Sequence, residues 1–196
     1  TRRSSDLLRL VEHESLHDCA MRLTLTPENR IVQIRPLPYT EADQREGLRL
    51  VVGQTRRNAR SVLAGMKTLC YADSLLEREA AAARGCREAL LLNTEEKLAE
   101  GSASNLFLVR RGRVFTPDVS CGLLPGIVRQ WVLQTLDGKA GEGRYTLENL
   151  READEVFLTN SLMGVMGVRE LVDVGAWPIG PVTRELQERY ERADKA

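Results

Sequence analysis

Lys67 is the residue in this 196-residue chain whose type and surroundings best suit covalent chemistry. The chain carries 28 lysines and arginines, of which four are lysine: Lys67, Lys97, Lys139 and Lys195. Among these, Lys67 alone lies in an apolar run, Val62-Leu63-Ala64-Gly65-Met66-Lys67-Thr68-Leu69. Arginine keeps its proton in proteins, whereas a desolvated lysine can lose it and attack a carbonyl carbon. The same run equally suits a lysine at a loop edge with its stem buried. Glu100 precedes the small residues Gly101-Ser102-Ala103-Ser104-Asn105, which let a ligand approach the backbone. A carboxylate there can hold a protonated heteroaromatic nitrogen, or serve as a plain surface acid. Gly122-Leu123-Leu124-Pro125-Gly126-Ile127-Val128 leads into a helix whose unpaired N–H groups suit a phosphate, though ordinary loops enter helices the same way. Thr159-Asn160-Ser161 could add a hydroxyl to that phosphate, and Tyr71 follows Lys67 by four residues.

These residues need elements to hold them. Cys19–Thr26 alternates with period two and predicts a strand, answered by Ile31–Ile34 across the turn Pro27-Glu28-Asn29-Arg30. Thr1–His17 carries Leu7, Leu8, Leu10 and Val11 at near-helical spacing. Pro36-Leu37-Pro38 cannot continue a central strand, so the stretch to Gly47 reads as a linker. Strands follow at Gly47–Val52, Glu88–Leu92, Leu98–Glu100, Leu106–Arg110, Arg113–Thr116 and Glu155–Thr159, with Arg111-Gly112 as a tight hairpin. Helices are expected at Asp73–Arg84 before Gly85, at Ile127–Leu136, after the N-cap Thr146 to about Ala153, and from Pro181 to about Ala193. The order is α+β, neither a regular βαβ alternation nor an all-β run.

Composition narrows the function. The 28 cations balance 28 acids, which argues against nucleic-acid binding through bulk electrostatics. No apolar run reaches the roughly 20 residues of a spanning helix, so no membrane role is expected. Cys19, Cys70, Cys86 and Cys121 are widely spaced and read as reduced thiols of a cytoplasmic protein. His13 and His17 have no ligand spacing, so no metal site is expected. A start at Thr1 rather than methionine predicts that residues precede it.

Each chemical signal is weak alone, but their order is specific. Lys67, the stretch Glu100-Gly-Ser-Ala-Ser-Asn-Leu-Phe thirty-three residues later, Thr116-Pro117 and Leu123-Leu124-Pro125-Gly126-Ile127 closely resemble the fold-type IV pyridoxal-phosphate enzymes, the class IV aminotransferase family. The segment Ala153-Asp154-Glu155-Val156-Phe157-Leu158-Thr159-Asn160-Ser161-Leu162-Met163-Gly164-Val165 is most similar to the aminodeoxychorismate lyase branch. The likeness runs from about Cys19 to Tyr190.

The resemblance implies a D-amino-acid aminotransferase-like fold, with residues 1–40 a remnant of an incomplete N-terminal small domain and 41–196 the cofactor-binding domain. It implies pyridoxal 5′-phosphate as cofactor, held covalently by Lys67, which also moves the proton at the substrate carbon. Glu100 would keep the pyridine nitrogen protonated and Tyr71 would bond the phenolic oxygen. Leu124 would pack on the ring face, with the amides of Ile127 and Val128, Ser161 and the neighbouring Asn160 forming the phosphate cup. Asn105 would hold the loop after Glu100. Val128 stands where many members have threonine, so one hydroxyl contact is expected to be missing. The implied activity converts 4-amino-4-deoxychorismate to 4-aminobenzoate and pyruvate for folate synthesis, in a homodimer acting on a small-molecule substrate. A branched-chain or D-amino-acid aminotransferase, or a truncated inactive member, are the alternatives.

Overall fold

The structure, a computed structural model, describes residues 2–14 and 19–194. It divides into two compact units, 1–40 and 41–196. In the first, helix α1 (Arg2–His13) precedes an antiparallel hairpin of β1 (Cys19–Leu25) and β2 (Arg30–Pro36). The end of the predicted N-terminal segment, 15–17, lies outside the described residues. The turn closes where Thr26 N–H donates to Asn29 O at 2.9 Å and Asn29 N–H to the Thr26 hydroxyl at 2.8 Å. Pro36 ends β2 at a sheet margin, where a missing N–H costs nothing.

The second unit is a mixed sheet of nine strands, with helices packed on it. Its strands are β3 (Leu48–Arg57), β4 (Glu88–Asn93), β5 (Leu98–Gly101), β6 (Asn105–Arg110), β7 (Arg113–Pro117), β8 (Gly141–Gly143), β9 (Glu155–Asn160), β10 (Gly164–Leu171) and β11 (Gly175–Ala176). Pairing runs β10 to β3 to β4 to β5 to β6, and β9 joins β6 back to β10. Six strands therefore close into a ring, which removes their free edges. Strands buried on both faces read as continuous apolar runs. All six residues of β4 and all four of β5 are buried.

Helix α3 (Ala72–Ala83) lies on β3 and β4, its Ala81 packing with Val51, Cys86, Ala89 and Leu91. Gly85, at φ +68, ends it in the left-handed region that favours glycine. On another part of the sheet, Phe107 and Phe157 stack with centroids 4.8 Å apart amid Val109, Val132, Val165 and Leu186. Helices α4 (Ile127–Thr135) and α6 (Pro181–Asp194) contribute Val132 and Leu186 to that core. Buried Glu155 caps α6, accepting from Val182 N–H, Thr183 N–H and the Thr183 hydroxyl at 3.1, 2.8 and 2.6 Å.

Three expectations need correction. The linker expected up to Gly47 contains helix α2 (Glu41–Glu46), whose polar face buries no residue and so left no apolar period. Strand β3 runs five residues beyond the predicted Val52, because its register slips between Val52 and Arg56 and then resumes against Leu92 and Asn93. Glu77 of α3 fills that break, accepting from Gln54 N–H at 3.1 Å and Thr55 N–H at 2.6 Å. The sequence predicts no strand at β8, β10 or β11. Elsewhere the predicted elements match within one or two residues, including α5 (Leu147–Arg151) after Thr146. No described helix is long and apolar enough to cross a membrane.

Candidate active site around Glu100

Glu100 lies on β5 between Leu91 of β4 and Asn105 of β6, and only 7% of it is exposed. Its Oε1 meets the Arg57 guanidinium at 2.9 Å, and its Oε2 accepts the Leu124 N–H at 2.9 Å. Burial pushes its pKa up from 4.5 to about 7. The positive charge of Arg57, the Leu124 N–H and the charge of Lys67 pull the other way, while Glu88 adds to the rise. A carboxylate has about four acceptor positions, and Arg57 and Leu124 take two, so room remains for another donor.

Arg57 was not singled out from the sequence. It stands at the end of β3, beyond the register slip, and its Nε also reaches Gly122 O at 3.3 Å. No local signal could have found it, because arginine is the ordinary cation of this chain.

Lys67 sits in the loop between β3 and α3, with its side chain exposed. Its apolar neighbours are exposed too: Val62 at 84% and Leu69 at 89%. The apolar run therefore surrounds Lys67 without burying it, and within this chain the lysine is not desolvated. Its charge nonetheless acts on Glu100. Tyr71 is half-buried at the start of α3, where its carbonyl accepts from Leu75 N–H at 3.2 Å.

Asn105 has a different task from the expected one. Its Nδ2 donates to Leu124 O at 2.7 Å, and its Oδ1 accepts the Gly126 N–H at 3.2 Å. It clamps the loop entering α4, not the turn after Glu100. A Cβ on Gly126 would collide with that Oδ1, so glycine is needed at this position. Leu124 is tied by its N–H to Glu100 and by its carbonyl to Asn105. Asn105→Ala should cost about 2–4 kcal/mol in chemical denaturation, since two bonds go and the Gly126 N–H loses its acceptor.

Ile127 and Val128 open α4, where the first N–H groups have no acceptor inside the helix. The Ile127 side chain is 80% exposed and that of Val128 is buried. Arg129, also buried, anchors this first turn by donating to Pro117 O at 2.9 Å. Asn160 Nδ2 donates to Ala103 O at 3.0 Å, joining the end of β9 to the turn after Glu100. Its Oδ1 accepts from Leu162 and Met163 N–H at 2.8 and 2.9 Å. Ser161 is exposed on that turn and lines a cavity of about 180 Å³ with Gln44, Gln187 and Tyr190. The geometry thus links Glu100 with Arg57, Leu124 and Asn105, and through Ala103 with Asn160.

The state of Glu100 makes stability depend on pH. The folded carboxyl holds its proton more tightly than the unfolded chain, so its contribution is complete below about pH 4.5 and is lost as pH rises through about 7. Without cofactor, stability should fall by up to about 3 kcal/mol from this group between pH 5 and 8. Denaturant midpoints across that range should show the slope, and Glu100→Gln should reduce it.

A family model described as amino-transferase class IV matches residues 3–171. The chain belongs to the class IV aminotransferase family. The cofactor of that family is pyridoxal 5′-phosphate. A branched-chain-amino-acid aminotransferase of Pseudomonas aeruginosa is 37% identical over 126 residues, 61% of this chain and 40% of that protein. The 4-amino-4-deoxychorismate lyase structure of Pseudomonas aeruginosa superposes with TM-score 0.76 at 35% identity, covering 83% of this chain and 62% of that one. The branched-chain amino acid aminotransferase of Thermobaculum terrenum, solved in its pyridoxal-phosphate form, gives TM-score 0.72 at 29% identity over 84% of this chain and 57% of that one. The chain spans about half the length of the curated relatives it matches. The α+β, fold-type IV expectation holds for this class IV aminotransferase chain.

Proposed function

We propose that this chain forms the cofactor-binding part of a pyridoxal-phosphate enzyme that releases pyruvate from 4-amino-4-deoxychorismate and leaves 4-aminobenzoate. The observation that carries the reading is Glu100, a buried carboxylate held by Arg57 and the Leu124 N–H, on which the charge of Lys67 acts. The donor set fits the cofactor. Glu100 keeps acceptor capacity for a ring N–H, Lys67 offers an accessible amine, and the first amides of α4 suit a phosphate. When bound, pyridoxal 5′-phosphate supplies a carbonyl carbon and an electron-withdrawing ring.

The residues of the chain supply the rest. A proton on the ring nitrogen is stabilised only by an ionised acid, and Arg57 holds Glu100 toward that form. The Lys67 amine takes the proton from the amine-bearing carbon of the substrate. Leu124, fixed to Glu100 by its N–H and to Asn105 by its carbonyl, would pack on the ring face. Tyr71, Asn160 and Ser161 complete the proposed contacts with the phenolic oxygen and phosphate. The lyase assignment rests on the run Asn160-Ser161-Leu162-Met163, in which Asn160 orders its own turn and joins it to the Glu100 turn.

The exposed side chains of Val62, Leu69 and Ile127 support a second copy of the chain as partner in a homodimer, and the free thiols of Cys19, Cys70, Cys86 and Cys121 support a cytoplasmic location. The test is incubation with substrate and no keto acid. Pyruvate release is expected; none, with turnover once a keto acid is added, would favour the branched-chain aminotransferase reading. That second reading is supported by the 37% identical Pseudomonas aeruginosa aminotransferase.

A further inference from the structure

Glu88 opens β4 and is 2% exposed, a placement that a lone acid avoids unless it has a task. Its Oε1 accepts the Ala103 N–H and, at 3.3 Å, the Ser102 hydroxyl. Gly101 rests directly on it: a Cβ there would come within 2.7 Å of that oxygen. The turn is also pinned by Ser102 N–H on Ala89 O and Gly101 N–H on Ser104 O, both at 2.8 Å, and by Asn160 on Ala103 O. Glu100 immediately precedes this turn. The Ser104 hydroxyl also acts on the Glu88 carboxyl as a donor, while Oε2 has no partner at full hydrogen-bond geometry among the described residues.

We propose that Glu88 is a positioning residue: its carboxyl is the seat on which the 101–104 turn rests, and through that turn it fixes where Glu100 points. This rests on the reading of Glu100 as the acid that faces the cofactor ring. Burial favours the neutral form of Glu88. Ionising a carboxyl buried this deeply is costly, and protonation lowers that cost by removing the charge. The charge that acts on Glu88 is that of Arg78 of α3; the titratable groups around Glu100 are Arg57, Lys67 and Glu88. Burial raises the Glu88 pKa against the pull of its donors and Arg78. Two adjacent buried acids thus divide their roles: Glu88 holds the shape, and Glu100 holds the charge.

The experiment is carbon-detected NMR of the full chain labelled at its glutamate carboxyls, with Glu88→Gln and Glu100→Gln assigning the two signals. The Glu88 midpoint should lie above the ordinary glutamate value. In Glu88→Gln, which keeps the shape and an acceptor oxygen, the Glu100 midpoint should stay within about half a unit of the original. In Glu88→Ala it should fall by at least about one unit as the turn loosens, with pyridoxal 5′-phosphate retention about tenfold weaker. A Glu88 midpoint at or below the ordinary glutamate value, or equal behaviour of the Gln and Ala variants, would overturn the assignment. If Glu88→Ala does not fold, the Glu88 signal and the Gln variant decide. A chain that shows these titrations but takes up no pyridoxal 5′-phosphate would sink the proposed function and leave Glu88 as the seat of the turn. Cofactor uptake with Glu88 ionised would sink the Glu88 assignment alone.

Discussion

Lys67→Ala should abolish the visible absorbance of the loaded chain and lower turnover by at least about 10³-fold, since both the covalent attachment and the proton carrier go. The fold should not suffer. Lys67 is exposed in a loop held by its own short-range bonds, such as Met66 N–H to Leu63 O at 3.1 Å. The unfolding free energy should therefore change by no more than about 0.5 kcal/mol. Removing this cation should also raise the Glu100 pKa further, because Lys67 is among the charges that favour its ionised form. A variant that loses absorbance through unfolding would show a collapsed midpoint instead. A folded variant that keeps its colour would mean that another amine holds the cofactor.

Glu100→Gln should separate attachment from catalysis. The amide has nearly the shape of the acid, so Lys67 should still take up the cofactor and the colour should remain. An amide cannot stabilise a proton on the ring nitrogen as an anion does, so turnover should fall about 10²–10³-fold, roughly 3–4 kcal/mol in the barrier. The change also leaves the Arg57 guanidinium, about one-fifth exposed, without its carboxylate. Single-turnover kinetics with absorbance recorded on the same sample would check both halves. Unchanged turnover would remove Glu100 from the chemistry.

How much of this was legible beforehand depends on which physical signal each feature leaves. Glu88–Leu92 and Leu106–Arg110 were readable as strands because burial on both faces makes them continuous apolar runs. Strand β10 was hidden by Gly164 and Gly167, whose missing side chains give room to the Tyr190 ring and to Ile179. Strand β8 is Gly-Glu-Gly and carries no pattern of its own. The polar end of β3 is a strand because Glu77 and β4 hold it, a tertiary cause with no local trace.

The candidate site divides along the same line. Lys67 was visible because lysine is scarce here, and Glu100 because small residues follow it. Arg57 was not, since it meets Glu100 from the polar end of β3 beyond a register slip, which leaves no local trace. Asn105 was visible as a residue but not in its task. Its backbone pairs with Glu100, while its side chain reaches a loop 19 positions further on, as Asn105 Nδ2 to Leu124 O shows.

The central claim is that Lys67 is the residue that takes the cofactor. The most direct measurement is borohydride reduction of the chain loaded with pyridoxal 5′-phosphate, followed by digestion and mass spectrometry. The modification is expected on the peptide that contains Lys67 and should vanish in Lys67→Ala. Modification only at Lys97, Lys139 or Lys195, or at none of the four, would contradict it.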